Sequence, residues 1–336
     1  MAIFELKCQY VNMNKPVILK LEGGLGNQLF EFAAGYYLAA KLDTDLVLDQ
    51  FGIPLTNHMR EKGLGFGEYV LPKINGDKKI IALPDTMGLN TVRLAKKFRT
   101  FEKSILKYRM YKSNLYRLPI YRETERDSDF FDINHSVKLH GNFQSWRIVE
   151  EASKYGFPKV FSLNERSAWV SKFLLSANLT NSLAIHFRLG QDAVDNREFS
   201  QPSTQYYLRA IEQLSFATRA DDIYIFSDEI ELARERFSPI LGSKCNFVNP
   251  PTTESSAQKQ FLLSQFGAII CANSTFCSWA GWSIANRGGQ VVAPFPFSDS
   301  TKRGSRKFPA SWKLLSKTSG HQLPNSDFSK GGLAEF

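Results

Sequence analysis

Cysteine is scarce in this chain. Four occur in 336 residues, Cys8, Cys245, Cys271 and Cys277, and no two form a Cys-x-x-Cys pair. The expectation is reduced, buried thiols in a cytosolic protein. The N-terminal stretch MAIFELKCQYVNMNKPVILKL lacks the basic start and apolar core of a signal peptide. No apolar run approaches the ~20 residues that cross a bilayer. The longest candidate, FLLSQFGAIICA (261–272), is interrupted and short. No secretion route and no membrane anchor are expected. A Gly-x-Gly-x-x-Gly dinucleotide fingerprint is missing, as is a Walker A loop with its Gly-Lys-Ser/Thr ending. No internal repeat is visible. Two Asp-x-Asp triplets occur, DTD (43–45) and DSD (127–129). The first precedes a strand where a metal-dependent transferase would place it after one, and the second lies in a polar stretch. Both read as turn or surface residues.

What is present is an ordinary globular composition, 43% hydrophobic and 22% charged, in a chain long enough for two domains. The net charge of +9 calls for an anionic partner: nucleic acid, a membrane surface or a phosphorylated small molecule. A strand at 17–21, a glycine turn, a helix from about Asn27 to Lys41 and a strand at 46–49 form a β-α-β unit. A strand at 137–140 leads into a turn and helix, and 156–164 reads as a linker. Residues 93–112, RLAKKFRTFEKSILKYRMYK, have a basic helical pattern, and 121–136 read as polar loop. The second half alternates more cleanly. Strands are expected at 182–187, 222–227, 247–249, 268–272 and 290–294, and helices at 205–217, 230–237, 257–266 and 277–286. Apolar strands alternating with helices imply parallel sheets covered on both faces. The polar residues beyond 300 have no assignment.

In such sheets ligands bind beyond the carboxyl ends of the strands. Glu22-Gly-Gly-Leu-Gly-Asn27-Gln28 follows the first strand, and three glycines there allow a sharp turn and a close ligand approach. The helix start that follows offers free N–H groups and partial positive charge. Gly141-Asn-Phe-Gln144 follows the strand at 137–140. His186 lies inside the next strand, and Arg188-Leu-Gly-Gln-Asp192 follows it. Ser227-Asp228-Glu229 and Asn273-Ser274-Thr275 follow two more. Arg188 suits a diphosphate, which a guanidinium holds bidentately; a surface salt bridge is the competing reading. Ser274 and Thr275 suit either a helix cap or a phosphate grip. His186 either braces the loop or touches the ligand. Trp279 and Trp282 read as core packing.

Six segments, taken in order, resemble the α-1,2-fucosyltransferase family (glycosyltransferase family 11). They are GGLGNQLFEFA (23–33), GNFQSW (141–146), HFRLGQD (186–192), the pair Tyr206–Tyr207, FSDE (226–229) and NSTFCSWAGW (273–282). The match spans roughly 17–295 and is weak across 50–135. Leu189 stands where the family has the second Arg of its HxRR motif, Gln191 where it has Asp, and Ser278 where it has a Trp.

The resemblance implies an α/β, GT-B-like architecture of two facing Rossmann-like domains. These would be an N-terminal domain (1–160) on the acceptor side, a C-terminal donor domain (161–300) and a polar tail (301–336). It implies GDP-L-fucose as donor, inversion of the donor's β-linkage, and an α-1,2-fucoside on a terminal galactose of an oligosaccharide or lipid-linked glycan. No metal is required in this reading. Donor contacts would come from Gly26, Asn27, Gln28, His186, Arg188, Asp228, Asn273, Ser274 and Thr275. Arg188 would stabilise the departing diphosphate, and the candidate bases are Glu31, Asp192 and Asp49. A bacterial surface-polysaccharide pathway is expected, in the cytoplasm, with peripheral contact to anionic lipid at the inner membrane face. The alternatives are another linkage or GDP-sugar, a binding protein without turnover, and nucleic-acid binding through 93–112. The last is disfavoured, so no nucleic-acid partner is expected.

Overall fold

The computed structural model describes residues 16–49, 64–82, 118–124, 127–190, 200–214, 220, 222–241, 245–297 and 308–323. In the N-terminal half, β1 (Val17–Lys20) leads through the glycine turn into α1 (Leu25–Lys41), and β2 (Leu46–Asp49) follows. Then come β3 (Ile80–Ala82), β4 (Ile120–Arg122), α2 (Asp127–Phe131), β5 (Lys138–His140), α3 (Trp146–Lys154) and α4 (Ala168–Ser176). The five strands form one sheet in the order β3-β2-β1-β5-β4, and every pairing is parallel.

The C-terminal half contains β6 (Leu183–Phe187), α5 (Thr204–Gln213), β7 (Ile223–Ser227), α6 (Ile230–Leu241) and β8 (Cys245–Phe247). It continues with α7 (Ser256–Leu263), β9 (Ala268–Ile270), α8 (Thr275–Asn286), β10 (Gln290–Phe295) and β11 (Lys313–Ser316). The second sheet is also wholly parallel, in the order β11-β10-β9-β6-β7-β8. Two Rossmann-like parallel sheets, one per half, make the expected GT-B-like α/β arrangement.

Helix α1 is central because its sequence is apolar all round, which suits a helix with no solvent face. Every residue from Leu25 to Ala40 except Asn27 is buried. Gly35 lets the helix lie against the sheet, where an added Cβ would sit 3.0 Å from Leu46 and 3.1 Å from Leu19. On its other side Phe30 enters an aromatic cluster drawn from both halves. Its ring centroid lies 4.8 Å from both Trp146 of α3 and Trp279 of α8. Trp146 also stacks on Trp282 at 5.2 Å and meets Trp312 at the same distance. Trp279 and Trp282 are therefore core, as their spacing implied. A second core on the other face of the C-terminal sheet gathers Phe187, Leu189, Tyr206, Tyr207 and Phe237.

The structure departs from the sequence reading in several places. Residues 121–136 are not simply loop: they finish β4 and form α2, with Phe130 buried and Asp127 and Asp129 in the helix's first turn, where carboxylates favour the dipole. The 156–164 linker is packed, since Phe157 and Phe161 are buried and Leu163 bridges Tyr69. The strand near 247–249 ends at Phe247. The polar tail from 301 includes fully buried Trp312 and β11, which pairs with β10. Among the described residues Cys245, Cys271 and Cys277 are free, and the last two are buried. The basic stretch 93–112 lies outside the described residues.

Candidate active site

The glycine turn is shaped from behind. Gly23 has φ +71°, a left-handed conformation that costs glycine little. Fully buried Gln28 donates from Nε2 to the Gly23 carbonyl (3.0 Å) and accepts the Gly65 amide on Oε1 (2.8 Å). Glu31, also fully buried, accepts the Glu22 amide on Oε2 at 2.9 Å. Burial pushes its carboxyl well above the ordinary range, and neighbouring Glu22 and Glu123 add to that. Glu31 exposes no atom to an acceptor hydroxyl, so its expected role as a catalytic base is corrected to one of bracing the turn. Gln28 likewise holds the loop and does not face a ligand.

At the front of the turn the two domains meet. A Cβ on Gly26 would stand 2.6 Å from the Thr275 backbone carbon and 2.7 Å from the Phe276 nitrogen. The starts of α1 and α8 therefore touch, and only glycine permits it. Trp279 Nε1 donates to the Gly26 carbonyl at 2.9 Å. Asn27 Oδ1 accepts from Thr275 Oγ1 (3.1 Å) and from Gln144 Nε2 (2.7 Å). These bonds join the GGLGNQ, GNFQS and NSTF segments in one cluster. Neither Gly24, the residue capping α1, nor Ser274, capping α8, makes a side-chain cap bond. Amide donors of two helices thus converge from opposite domains, with partial positive charge at each.

At the carboxyl end of β6, Arg188 pairs with Asp228. Asp228 also accepts the amides of Leu189 on Oδ1 (2.7 Å) and Gly190 on Oδ2 (3.0 Å). The carboxylate holds the Arg188 loop through these bonds while its side chain stays 25% exposed. Leu189 is buried in the C-terminal core, which gives the departure from the second motif Arg a packing role. His186 is buried, with its ring 5.8 Å from that of Phe276 and its carbonyl accepting the Tyr207 hydroxyl at 3.4 Å. It braces the site. Asn273 donates to the Ser200 carbonyl at 2.8 Å. Gln191 and Asp192 lie outside the described residues.

Gly26, Asn27 and Thr275 are thus brought together where the domains meet, Gln28 and Glu31 brace the glycine turn, and Arg188 with Asp228 forms a separate pair at the carboxyl ends of β6 and β7. Gln144 was missing from the expected site, although its motif was legible. Its role requires knowing that β1 and β5 are neighbours. Asp45 and Asp129, from the two Asp-x-Asp triplets, accept from the Lys79 amide and the Thr124 hydroxyl, the first before β2 and the second in the first turn of α2. Among the described residues no three His, Cys, Asp or Glu side chains group as a metal would need, and no helix is long and apolar enough to cross a membrane.

No protein-family model matches the chain. It is 25% identical over 309 residues to an alpha-1,2-colitosyltransferase of Escherichia coli, covering 90% of this chain and 99% of the relative. It is 26% identical over 306 residues to the Escherichia coli O-antigen biosynthesis glycosyltransferase WbnK, covering 82% of this chain and 92% of that one. Among solved structures, the fucosyltransferase NodZ from Bradyrhizobium has a TM-score of 0.46 at 15% identity, over 80% of this chain and 92% of that chain. The Escherichia coli heptosyltransferase WaaC has a TM-score of 0.42 at 10% identity, over 94% and 98%.

Proposed function

We propose that this protein is an inverting glycosyltransferase. It moves L-fucose from GDP-L-fucose to the 2-hydroxyl of a terminal galactose in a surface glycan, without a metal ion. The observation that carries this reading is the Gly26–Thr275 junction, where two helix starts without side-chain caps meet; Arg188, on the loop after β6, would join them on the diphosphate. The departing GDP gains negative charge as the anomeric bond breaks, and preorganised N–H donors and a guanidinium stabilise that charge in place. Asn27 would add its side-chain amide from the acceptor domain. The names of the two relatives support a glycosyltransferase of O-antigen type and an α-1,2 linkage. The first also favours a second donor reading. Colitose is fucose lacking one ring hydroxyl, so a GDP-linked colitose fits the same cluster. The charge of +9 supports weak attachment to anionic lipid beside a lipid-linked acceptor. Vesicle sedimentation that salt reverses would read it out.

The test is acceptor-dependent GDP release from each GDP-sugar, over a panel of β-galactosides, with EDTA present. Release that survives EDTA and falls ~10²–10³-fold in Arg188→Ala, the typical loss of one such charge-stabilising group, supports the reading. Donor binding without release on any acceptor would make the protein a binder. Absence of binding to every GDP-sugar would end the assignment.

A further inference from the structure

The carboxyl edge of the N-terminal sheet carries a row of charged side chains that the diphosphate cluster does not use. Strands β1, β5 and β4 are neighbours and end on Lys20, His140 and Arg122. Their pairing aligns these ends, with Leu19 opposite Leu139 and Arg122 opposite His140. Lys20 Nζ lies 3.1 Å from His140 Nε2, and Arg122 Nη1 lies 3.2 Å from His140 Nδ1. Glu22, two residues before Gly24, pairs with Lys20 through Oε1, and that oxygen is 3.7 Å from His140 Nε2. Among the described residues, no partner meets Glu22 Oε2. The side chain is 38% exposed, yet its main chain is fixed by the bond from its amide to Glu31.

Asp49 ends β2 opposite Lys20 on the same edge, and three further carboxylates are engaged elsewhere. Asp228 holds the Arg188 loop, Glu31 is sealed beneath the turn, and Glu123 Oε2 accepts the Asn142 amide at 2.8 Å. Glu22 combines a fixed backbone, a held first oxygen and an open second one. It stands on the acceptor domain, four residues before Gly26. An inverting transfer needs a proton acceptor on the side away from the leaving diphosphate.

We propose that Glu22 is the general base of the transfer, with Lys20 and His140 as positioning residues for its carboxylate. The proposal rests on the glycosyl-transfer reading above. In the step, the acceptor hydroxyl oxygen bonds to the donor's anomeric carbon. The bond from that carbon to the phosphate oxygen breaks, its electron pair leaving on the nucleotide diphosphate. The hydroxyl proton passes to Glu22 Oε2. The titratable groups facing Glu22 are Lys20 from β1, His140 from β5 and Glu31 from α1, with Arg122 and Glu123 further along the edge.

The experiment compares wild type, Glu22→Gln, Glu22→Asp and His140→Gln for nucleotide-sugar binding by calorimetry and for kcat and acceptor KM separately. Glu22→Gln is expected to bind donor within about threefold of wild type while kcat falls ~10²–10⁴-fold. His140→Gln is expected to lower kcat about tenfold while acceptor KM and donor binding stay within about threefold of wild type. If Glu22→Gln loses donor binding, Glu22→Asp decides. A fall in kcat of about tenfold or more at unchanged binding supports the base, and an unchanged kcat overturns it. A Glu22→Gln enzyme that transfers within about threefold of wild type overturns the assignment and leaves the transferase reading standing. The same holds if Asp49→Asn abolishes transfer in its place. A wild type that transfers from no GDP-sugar overturns both.

Discussion

Gly26 shows how a single hydrogen atom can set a domain junction. The space beside it is filled by the Thr275 main chain, which cannot rotate away as a side chain would. Gly26→Ala is expected to force α1 and α8 apart and to destabilise the protein by about 1–3 kcal/mol, the usual range for overpacking. Urea unfolding would measure it, and a midpoint equal to wild type would mean the junction yields. Glu31 makes a prediction of a different kind. Its carboxyl is raised by burial, so the folded protein holds a proton that the unfolded chain gives up near pH 4.3. Stability from this group is complete below that pH and is lost as pH rises toward the folded value, at up to about 1.4 kcal/mol per pH unit. Glu31→Gln removes the ionisation while keeping an oxygen for the Glu22 amide. Its stability relative to wild type should therefore grow between pH 5 and 8. A difference that stays constant over that range would show that Glu31 ionises at its ordinary pH.

Helix starts divide into two kinds. Ser167, Ser203 and Ser255 each accept an amide of their own helix, from Val170, Tyr206 and Gln258. Gly24 and Ser274 do not, although Ser274 has the right side chain, and neither does Ser145 before α3, whose hydroxyl donates to Asp127 instead. The first three starts are structural, and Ser203→Ala should cost about 1 kcal/mol, read as a lower thermal midpoint with nucleotide binding unchanged. Weakened binding would mean that α5 reaches the site. Most elements were legible because apolar strands and helix-length patterns alternate from 183 to 295, and the glycine turn announced α1. Three classes of feature were not. Strands β3 and β4 are three residues long at or near sheet edges, too short for alternation to register. Strand β11 owes its place to pairing with β10 and to Trp312 behind it, contacts remote in sequence from a polar surrounding. Site geometry was legible as motifs but not as roles. Nothing in a linear string distinguishes Arg188, at the edge, from Asp228, which serves it from forty residues away, or aligns Lys20 with His140.

At the scale of the molecule, the two domains are joined by a shared core and not by a hinge alone. Four of the five tryptophans meet in one cluster, with Trp279, Trp282 and Trp312 all packed on Trp146, and they come from both halves of the chain. Their burial and close ring packing couple folding of one sheet to folding of the other. Intrinsic fluorescence then reports mainly on the junction, while far-UV circular dichroism reports on both sheets. The two signals should trace one coincident urea transition. Trp146 touches each of the other three, so Trp146→Ala should lower stability by about 3–5 kcal/mol and separate the two transitions as each sheet unfolds alone. Ligand closes the argument from the other side. A nucleotide bound across the Gly26–Thr275 junction contacts both domains, so GDP at a hundred times its dissociation constant should restore about 2.7 kcal/mol and bring the separated transitions back together. Stabilisation of only one of the two would place the nucleotide on a single domain and leave the tryptophan cluster as the sole link between them.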